Sequence, residues 1–576
     1  MEPVLASSGI GFDRWLHAQL GRATAAVSPA ALTLAYTDWL AHLAFSPARQ
    51  TQLAQEAWRL ATLFAEYMPH ALDPGSAWQV APAPTDRRFT GAAWRSWPFN
   101  LYAQAFLSAE QWWHHAATGV RGVDRHHENV VDFVIRQQLD TLAPSNFVAT
   151  NPDVLERTVA TSGANLVQGW LNLIDDVRRM QSGAPAAGSE AFQVGVNLAV
   201  TPGKVVMRNA LAELIQYAPT TNRVHPEPIL IVPAWIMKYY VLDLQPHNSL
   251  VKYLVDRGHT VFCLSWKNPT AEDRDVGLAD YLSRGVFDAL DAVRSIVPEH
   301  KVHAVGYCLG GTLLAIAAAA MARDGDDRLA TLSLLAAQTD FSEPGEIALF
   351  IDNSEVTFLE DMMFDRGYLN REQMAGAFQL LRSNDLIWSR VVRDYLMGER
   401  APLSDLMAWN QDATRMPYRM HSEYLRRMFL DNDLAGARFP VGGRPVALED
   451  IALPIFCLGT ETDHVAPWRS VYKIHLLNDG EITFALTTGG HNAGVVSPPA
   501  SAHRRYRVRL RPAEGKYLAP DEYLGNAELK DGSWWPEWQA WLARRSHEPG
   551  APPPMGTPAA RHAAQDDAPG RYVLEA

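Results

Sequence analysis

Apolar residues recur every three or four positions through most of the first two hundred residues, and then the period changes. Segments 30–43, 50–68, 102–115 and 128–142 each carry such a stripe, which predicts amphipathic helices, and no strand series interrupts them. From 229 onward short, β-rich apolar runs take over at 229–232, 260–265, 302–307, 329–337, 454–459 and 482–487. They alternate with helical stretches, as in a parallel sheet covered on both faces. Between about 342 and 432 the alternation stops. Helical patterns at 350–363, 371–381, 386–397 and 420–430 predict an insertion that caps the C-terminal edge of the sheet. A last helix is expected near 538–545, and 548–569, rich in Pro, Ala and Gly, reads as a mobile tail. The expected organisation is an all-helical N-terminal domain over 1–205, an α/β catalytic domain over 206–545 containing the cap, and a tail over 546–576. No internal repeat is evident.

One stretch concentrates chemistry. Val302 to Tyr307 is an apolar strand, Leu309 to Met321 is a run of small and aliphatic residues with helical character, and Cys308 stands between them. Gly306 and Gly310 flank it as G-x-C-x-G, the cysteine form of the nucleophile elbow, in which small neighbours let a strained turn lift one side chain above a sheet. The N–H of Leu309 would open the helix, where orphan donors and the helix dipole favour a thiolate and hold a developing oxyanion. The alternative is a cysteine that only packs, since free cysteine is among the most buried residue types.

Composition narrows the setting. The chain has 576 residues, 47% of them apolar, enough for two or three domains. A net charge of −13 argues against a nucleic-acid partner. Three cysteines (Cys263, Cys308, Cys457) give neither a disulfide framework nor a metal knuckle, which points to a reducing cytoplasm. The first residues lack the basic and apolar regions of an export signal. The helical part is rich in tryptophan, with core as the default place for it. Adjacent Trp112 and Trp113 cannot face the same way on a helix, so one of them is a candidate contact residue.

Partners for the cysteine follow in the order acid, then histidine, each just after a strand. Asp463 lies in the loop after 454–459, and His491 lies among glycines after 482–487. Asp463 would hold the imidazole in one tautomer, and His491 would take the proton of Cys308. A turn role for Asp463 is the alternative. The second oxyanion donor is expected in the loop 232–238, with the N–H of Ile236 as the choice. His464 reads as structural or substrate-facing, His303 lies within a strand, and His126-His127 has no third ligand at metal spacing. Neither a phosphate loop nor a dinucleotide fingerprint occurs, so no cofactor and no metal are expected.

These residues, with the tryptophan motifs around them, resemble the class I polyhydroxyalkanoate (poly(3-hydroxybutyrate)) synthases of the α/β-hydrolase superfamily. The resemblance runs through Ile231 to Pro246, Ser265-Trp266-Lys267-Asn268-Pro269, Asn384-Asp385-Leu386-Ile387-Trp388, Trp409 to Thr414, Gly490-His491-Asn492-Ala493-Gly494 and Gly532-Ser533-Trp534-Trp535-Pro536. It extends to Asp86-Arg87-Arg88-Phe89 and 144–152 in the N-terminal part, and to Pro569-Gly570-Arg571-Tyr572-Val573. Met237 is a departure, replacing an asparagine usual in that family beside the proposed oxyanion donor. The elbow alone is also similar to that of dienelactone hydrolases, which lack the helical domain and the cap.

The resemblance implies an acyltransferase that polymerises (R)-3-hydroxyacyl units from coenzyme A through a thioester on Cys308. It implies a cap that excludes water and takes part in a homodimer, residence at polymer granules, and no transmembrane segment. Trp409 would gate the substrate channel, and Asp243 would line it or cap a helix. Two other readings of the residues stay open: a cysteine hydrolase of thioesters, esters or the polymer, and a catalytically silent granule-coat protein.

Overall fold

The apolar runs assemble into one ten-stranded sheet in the computed structural model, which describes residues 12–21, 24, 26–370, 373, 376, 383–501, 503–557 and 561–575. Its strands are β1 (Gly203–Arg208), β2 (Ala212–Tyr217), β3 (His225–Val232), β4 (His259–Trp266), β5 (Val302–Tyr307), β6 (Leu329–Leu335), β7 (Ile455–Thr460), β8 (Ile482–Thr487), β9 (Arg505–Arg511) and β10 (Glu528–Asp531). Their spatial order is β1-β2-β4-β3-β5-β6-β7-β8-β9-β10. From β4 to β8 neighbours run parallel, and the outer pairs are antiparallel. This is the α/β arrangement expected from the sequence. Each predicted strand lies in the parallel core, where both faces are covered and most residues are apolar.

Strands β1, β2, β9 and β10 are additional to the prediction. They lie at the sheet's margins and interleave charges with apolar residues, as in Arg-Tyr-Arg-Val-Arg-Leu-Arg of β9. Such edges resist pairing with another chain, and their mixed composition hides the strand period. The segment expected to be a mobile tail also differs. Gly550 exchanges backbone hydrogen bonds of 2.9 and 2.8 Å with Val224, and Gln216 of β2 holds Pro554 and Gly556 through its side-chain amide. Farther on, Val205 of β1 donates to the Asp566 carbonyl at 2.9 Å and accepts from Gln565 at 2.8 Å. The stretch is fixed through its backbone, which composition does not report.

Contacts divide the chain into two units: residues 1–19, 191–374 and 403–576 with the sheet, and residues 20–190 with 375–402 in a helical unit. The expected linear boundaries differ from this, because His17 pairs with Asp361 at 2.7 Å within the first unit. Within the second, Asn165 and Asn172 donate to the carbonyls of Leu396 and Asp394. The helical unit contains Pro29–Ala44, Pro47–Tyr67, Phe99–Ala117, Arg125–Thr141, Pro152–Ala160 and Ala164–Ser182. Ser28, Asp124 and Asn151 cap three of them through side-chain oxygens. Trp39 and Trp94 are buried, and Trp112 donates to the Leu53 carbonyl at 3.1 Å while Trp113 faces outward. Arg88 is buried against Asp86, Glu110 and Asp140, which absorbs the Asp86-to-Phe89 motif into a structural ion cluster.

In the insertion, the helix expected at 350–363 is Asn353–Arg366, with Asp352 capping it. The pattern at 386–397 forms wide π-type turns at Asn384–Trp388 and Val391–Leu396. The helix Tyr418–Tyr424 continues into similar turns over Leu425–Leu430. The expected helix at 371–381 falls almost wholly outside the described residues.

Candidate active site

The strand-turn-helix around Cys308 shows why its neighbours are glycine. Cys308 has φ 54° and ψ −127°, a conformation that costs a non-glycine residue of order 1–3 kcal/mol. Close approach on every side holds it there. A Cβ on Gly306 would lie 2.3 Å from the Gly311 Cα, one on Gly310 2.1 Å from the Val232 carbonyl oxygen, and one on Gly311 2.4 Å from the Ala337 Cβ. The backbone is pinned as well, since Cys308 N–H donates to Leu335 at 2.9 Å and its carbonyl accepts from Gly311 at 2.9 Å. Leu309 is the first residue of the helix Leu309–Asp324, so its N–H has no acceptor within the helix. Gly310, packed on Val232 and Pro233, brings the loop after β3 onto that same helix end.

His491 and Asp463 converge on this turn from β8 and β7. The Nδ1 of His491 lies 2.7 Å from Oδ2 of Asp463, and the imidazole lies close enough to Cys308 for the sulfur to act on its charge. Asp463 is itself fully engaged. Its Oδ1 accepts from the N–H groups of Val465 and Ala466 at 2.9 and 2.8 Å, and its Oδ2 from the Thr460 hydroxyl at 2.9 Å. Burial raises the Asp463 carboxyl, but the adjacent imidazole and these donors hold it below its ordinary value. Burial alone would lower His491. The facing carboxylate and the Cys308 sulfur outweigh it and hold the imidazole well above its ordinary value. The arrangement is a thiol, an imidazole and a carboxylate in line at the C-terminal ends of parallel strands.

Comparison with known proteins places the chain among acyl-polymerising enzymes. The family model described as poly-beta-hydroxybutyrate polymerase (PhaC) N-terminus matches residues 85–254, that described as poly-beta-hydroxybutyrate polymerase N terminal matches 10–49, and that of the alpha/beta hydrolase fold matches 227–498. A poly(3-hydroxyalkanoate) polymerase of Methylorubrum extorquens is 39% identical over 521 residues, covering 90% of this chain and 85% of that one. The poly(3-hydroxyalkanoate) polymerase subunit PhaC of Cupriavidus necator is 36% identical over 511 residues, covering 87% and 85%. The chain belongs to the poly(3-hydroxyalkanoate) polymerase family. As a member it is an enzyme on an α/β-hydrolase fold.

Other expected residues of this polymerase-family chain fall near the site in unequal ways. Ile236 is half-buried in the loop after β3, its carbonyl accepting from Thr414 at 3.3 Å while Met237 bridges to Ala413. Trp409 is buried and donates from Nε1 to the Lys238 carbonyl at 2.8 Å, so it props that loop from behind. Asp243 is buried too, accepting from the hydroxyls of Thr201 and Ser249 at 2.5 and 2.6 Å. Ser249 in turn caps the helix Leu250–Val255. His303 is held between Thr331 and Ser546, at 2.8 and 3.0 Å, as a strand residue. His464 is half-buried, its carbonyl against Gly345.

Sequence reading missed several neighbours. The Tyr307 hydroxyl donates to Oδ1 of Asn492, and the Tyr307 ring stacks on His491 with centroids 5.6 Å apart. Position inside the two motifs was the available signal, because each residue adjoins one already singled out. Tyr424 of the insertion lies close enough for the Cys308 sulfur to reinforce the rise that burial imposes on its phenol. Tyr424, Phe341 and Phe429 form one aromatic cluster, with centroid spacings of 4.9 to 6.2 Å. Nothing in the sequence pairs positions so far apart.

Proposed function

We propose that the enzyme polymerises (R)-3-hydroxyacyl units from coenzyme A into polyester, with Cys308 as nucleophile, His491 as base and Asp463 as its orienting partner. The observation that carries this reading is an imidazole, His491, held through Nδ1 by Asp463 and lying close to the Cys308 thiol on its strained turn. His491 takes the thiol proton, the sulfur attacks the thioester carbonyl, and the N–H groups of Leu309 and Ile236 hold the oxyanion. The carbon-sulfur bond to coenzyme A breaks, and its sulfur leaves with the proton from His491. For elongation, His491 takes the proton of a 3-hydroxyl whose oxygen attacks a second acyl thioester. An ester forms and a thiol is released. Water would divert the same intermediate, so exclusion is part of the chemistry. The apolar cluster of Phe341, Tyr424 and Phe429 supplies it.

In this reading Trp409 and Asp243 shape the substrate channel by fixing its walls. The enzyme works in the cytoplasm as a homodimer at the surface of polymer granules. Exposed Trp58, Trp97 and Trp170 of the helical unit support contact with an apolar polymer. Among the described residues no helix is long and apolar enough to cross a membrane. The test supplies purified protein with (R)-3-hydroxybutyryl-CoA and follows thiol release together with product size. Coenzyme A release with high-molecular-weight polyester is expected. Release with free 3-hydroxybutyrate alone would overturn the polymerase reading in favour of a hydrolase.

A further inference from the structure

At the opposite ends of the same strands, side chains gather for which acyl transfer has no use. Glu227 lies at the start of β3 between Pro226 and Pro228, buried, with both flanking positions unable to offer an N–H. His300 lies two residues before β5, and His547 follows the helix Trp535–Ala543. His547 Nδ1 pairs with Oε1 of Glu227, His300 Nδ1 stands 3.8 Å from the same oxygen, and the His547 N–H donates to Oε2 at 2.9 Å. One ligand atom from each of the three lies within 4.8 Å of the others. We propose that Glu227, His300 and His547 form a binding site for a divalent transition-metal ion of the Zn²⁺ class.

The donor chemistry fits this class: two imidazoles and one carboxylate are a common three-ligand set, with bonds of about 2.0–2.2 Å and a fourth position open to water. Atoms so spaced reach a common centre by modest ring rotations, and His547 is exposed and free of packing that would prevent one. The histidine side chains must bind unprotonated. The Glu227 carboxylate favours the imidazolium of His547, so an arriving cation displaces a proton from that ring. The effect is mechanical: the ion joins β3, the turn before β5 and the start of the C-terminal segment that runs along β1 and β2. Cys308 is beyond the far end of β5, a strand of six residues that spans about 20 Å, so the ion takes no part in acyl transfer.

The test titrates Co²⁺ into full-length protein carrying Cys308→Ala, which removes the thiol beside His491 as a competing ligand. Expected are one equivalent per chain, a visible spectrum of nitrogen and oxygen ligands in low coordination, and a Zn²⁺-dependent rise in melting temperature. His547→Ala, at an exposed side chain, and His300→Ala should each weaken binding by more than the roughly 10–100-fold typical of outer-shell changes. Absence of a one-per-chain site, or unchanged affinity in both folded variants, would overturn the proposal. Because Cys308 is absent throughout, the outcome is independent of the polymerase reading.

Discussion

Both ends of the parallel sheet carry a histidine paired with a carboxylate that favours its imidazolium, and the pairs differ in burial and in what surrounds them. At the C-terminal end Asp463 is buried and His491 partly so, 2.7 Å apart, with Cys308 close to the ring. At the N-terminal end Glu227 is buried but His547 is exposed. Their surroundings differ too. His259 and His303, near Glu227, are driven down to about 3 and about 4, with burial the leading cause in each, whereas His491 is driven up. A carboxylate–imidazole pair therefore identifies chemistry only through the groups gathered around it.

The sharpest way to break the comparison is to remove the group that makes the ends unequal. Cys308→Ala should lower turnover of hydroxyacyl-CoA by roughly 10⁵–10⁶-fold, measured as thiol release under single-turnover conditions. Asp463→Asn should cost about 10⁴-fold in turnover, by analogy with the same change in serine triads. It should also slow alkylation of Cys308 at neutral pH, because fewer molecules carry the imidazolium that favours the thiolate.

Much of this contrast was legible in the sequence, for a physical reason. Asp463 and His491 each follow a uniformly apolar strand, so local pattern alone puts both at one sheet edge with the elbow. The outer strands were not legible, since β9 alternates arginine with apolar residues and resembles a polar loop in composition. The stretch 548–569 misled because its order comes from backbone bonds to Val224, Val205 and the Gln216 side chain. Trp409 illustrates a third case. Its motif marked it as important, but only the bond to Lys238 shows that it braces a loop from a buried position.

His303 at one end and His491 at the other should also give stability opposite pH dependences. His303 binds its proton only near pH 4 when folded, against about 6.5 unfolded, so acidification favours the unfolded chain. Stability from this group is complete above about 6.5 and falls by up to about 3 kcal/mol as pH drops to 4. The raised His491 has the reverse sign: its contribution is present below about 6.5 and is lost as pH rises through its elevated value. Melting temperature followed across pH should show less acid-side loss in His303→Asn and less alkaline-side loss in Asp463→Asn.

Smaller effects refine the picture. Gly310→Ala would drive a Cβ to 2.1 Å from the Val232 carbonyl, and should cost about 1–3 kcal/mol or more by chemical denaturation. His547→Ala, in contrast, should leave turnover within about twofold, since an exposed ring at the far end of the sheet touches nothing in the acyl-transfer machinery.

The stretch that runs beside β1 has one more consequence. A sheet whose first strand showed its full row of donors and acceptors would template addition of strands from neighbouring molecules, and crowding on a polymer surface would favour it. Residues 565–568 occupy that row at Val205 and Gly203. The chain thus supplies its own terminating rung at this edge, and no ladder can grow from β1.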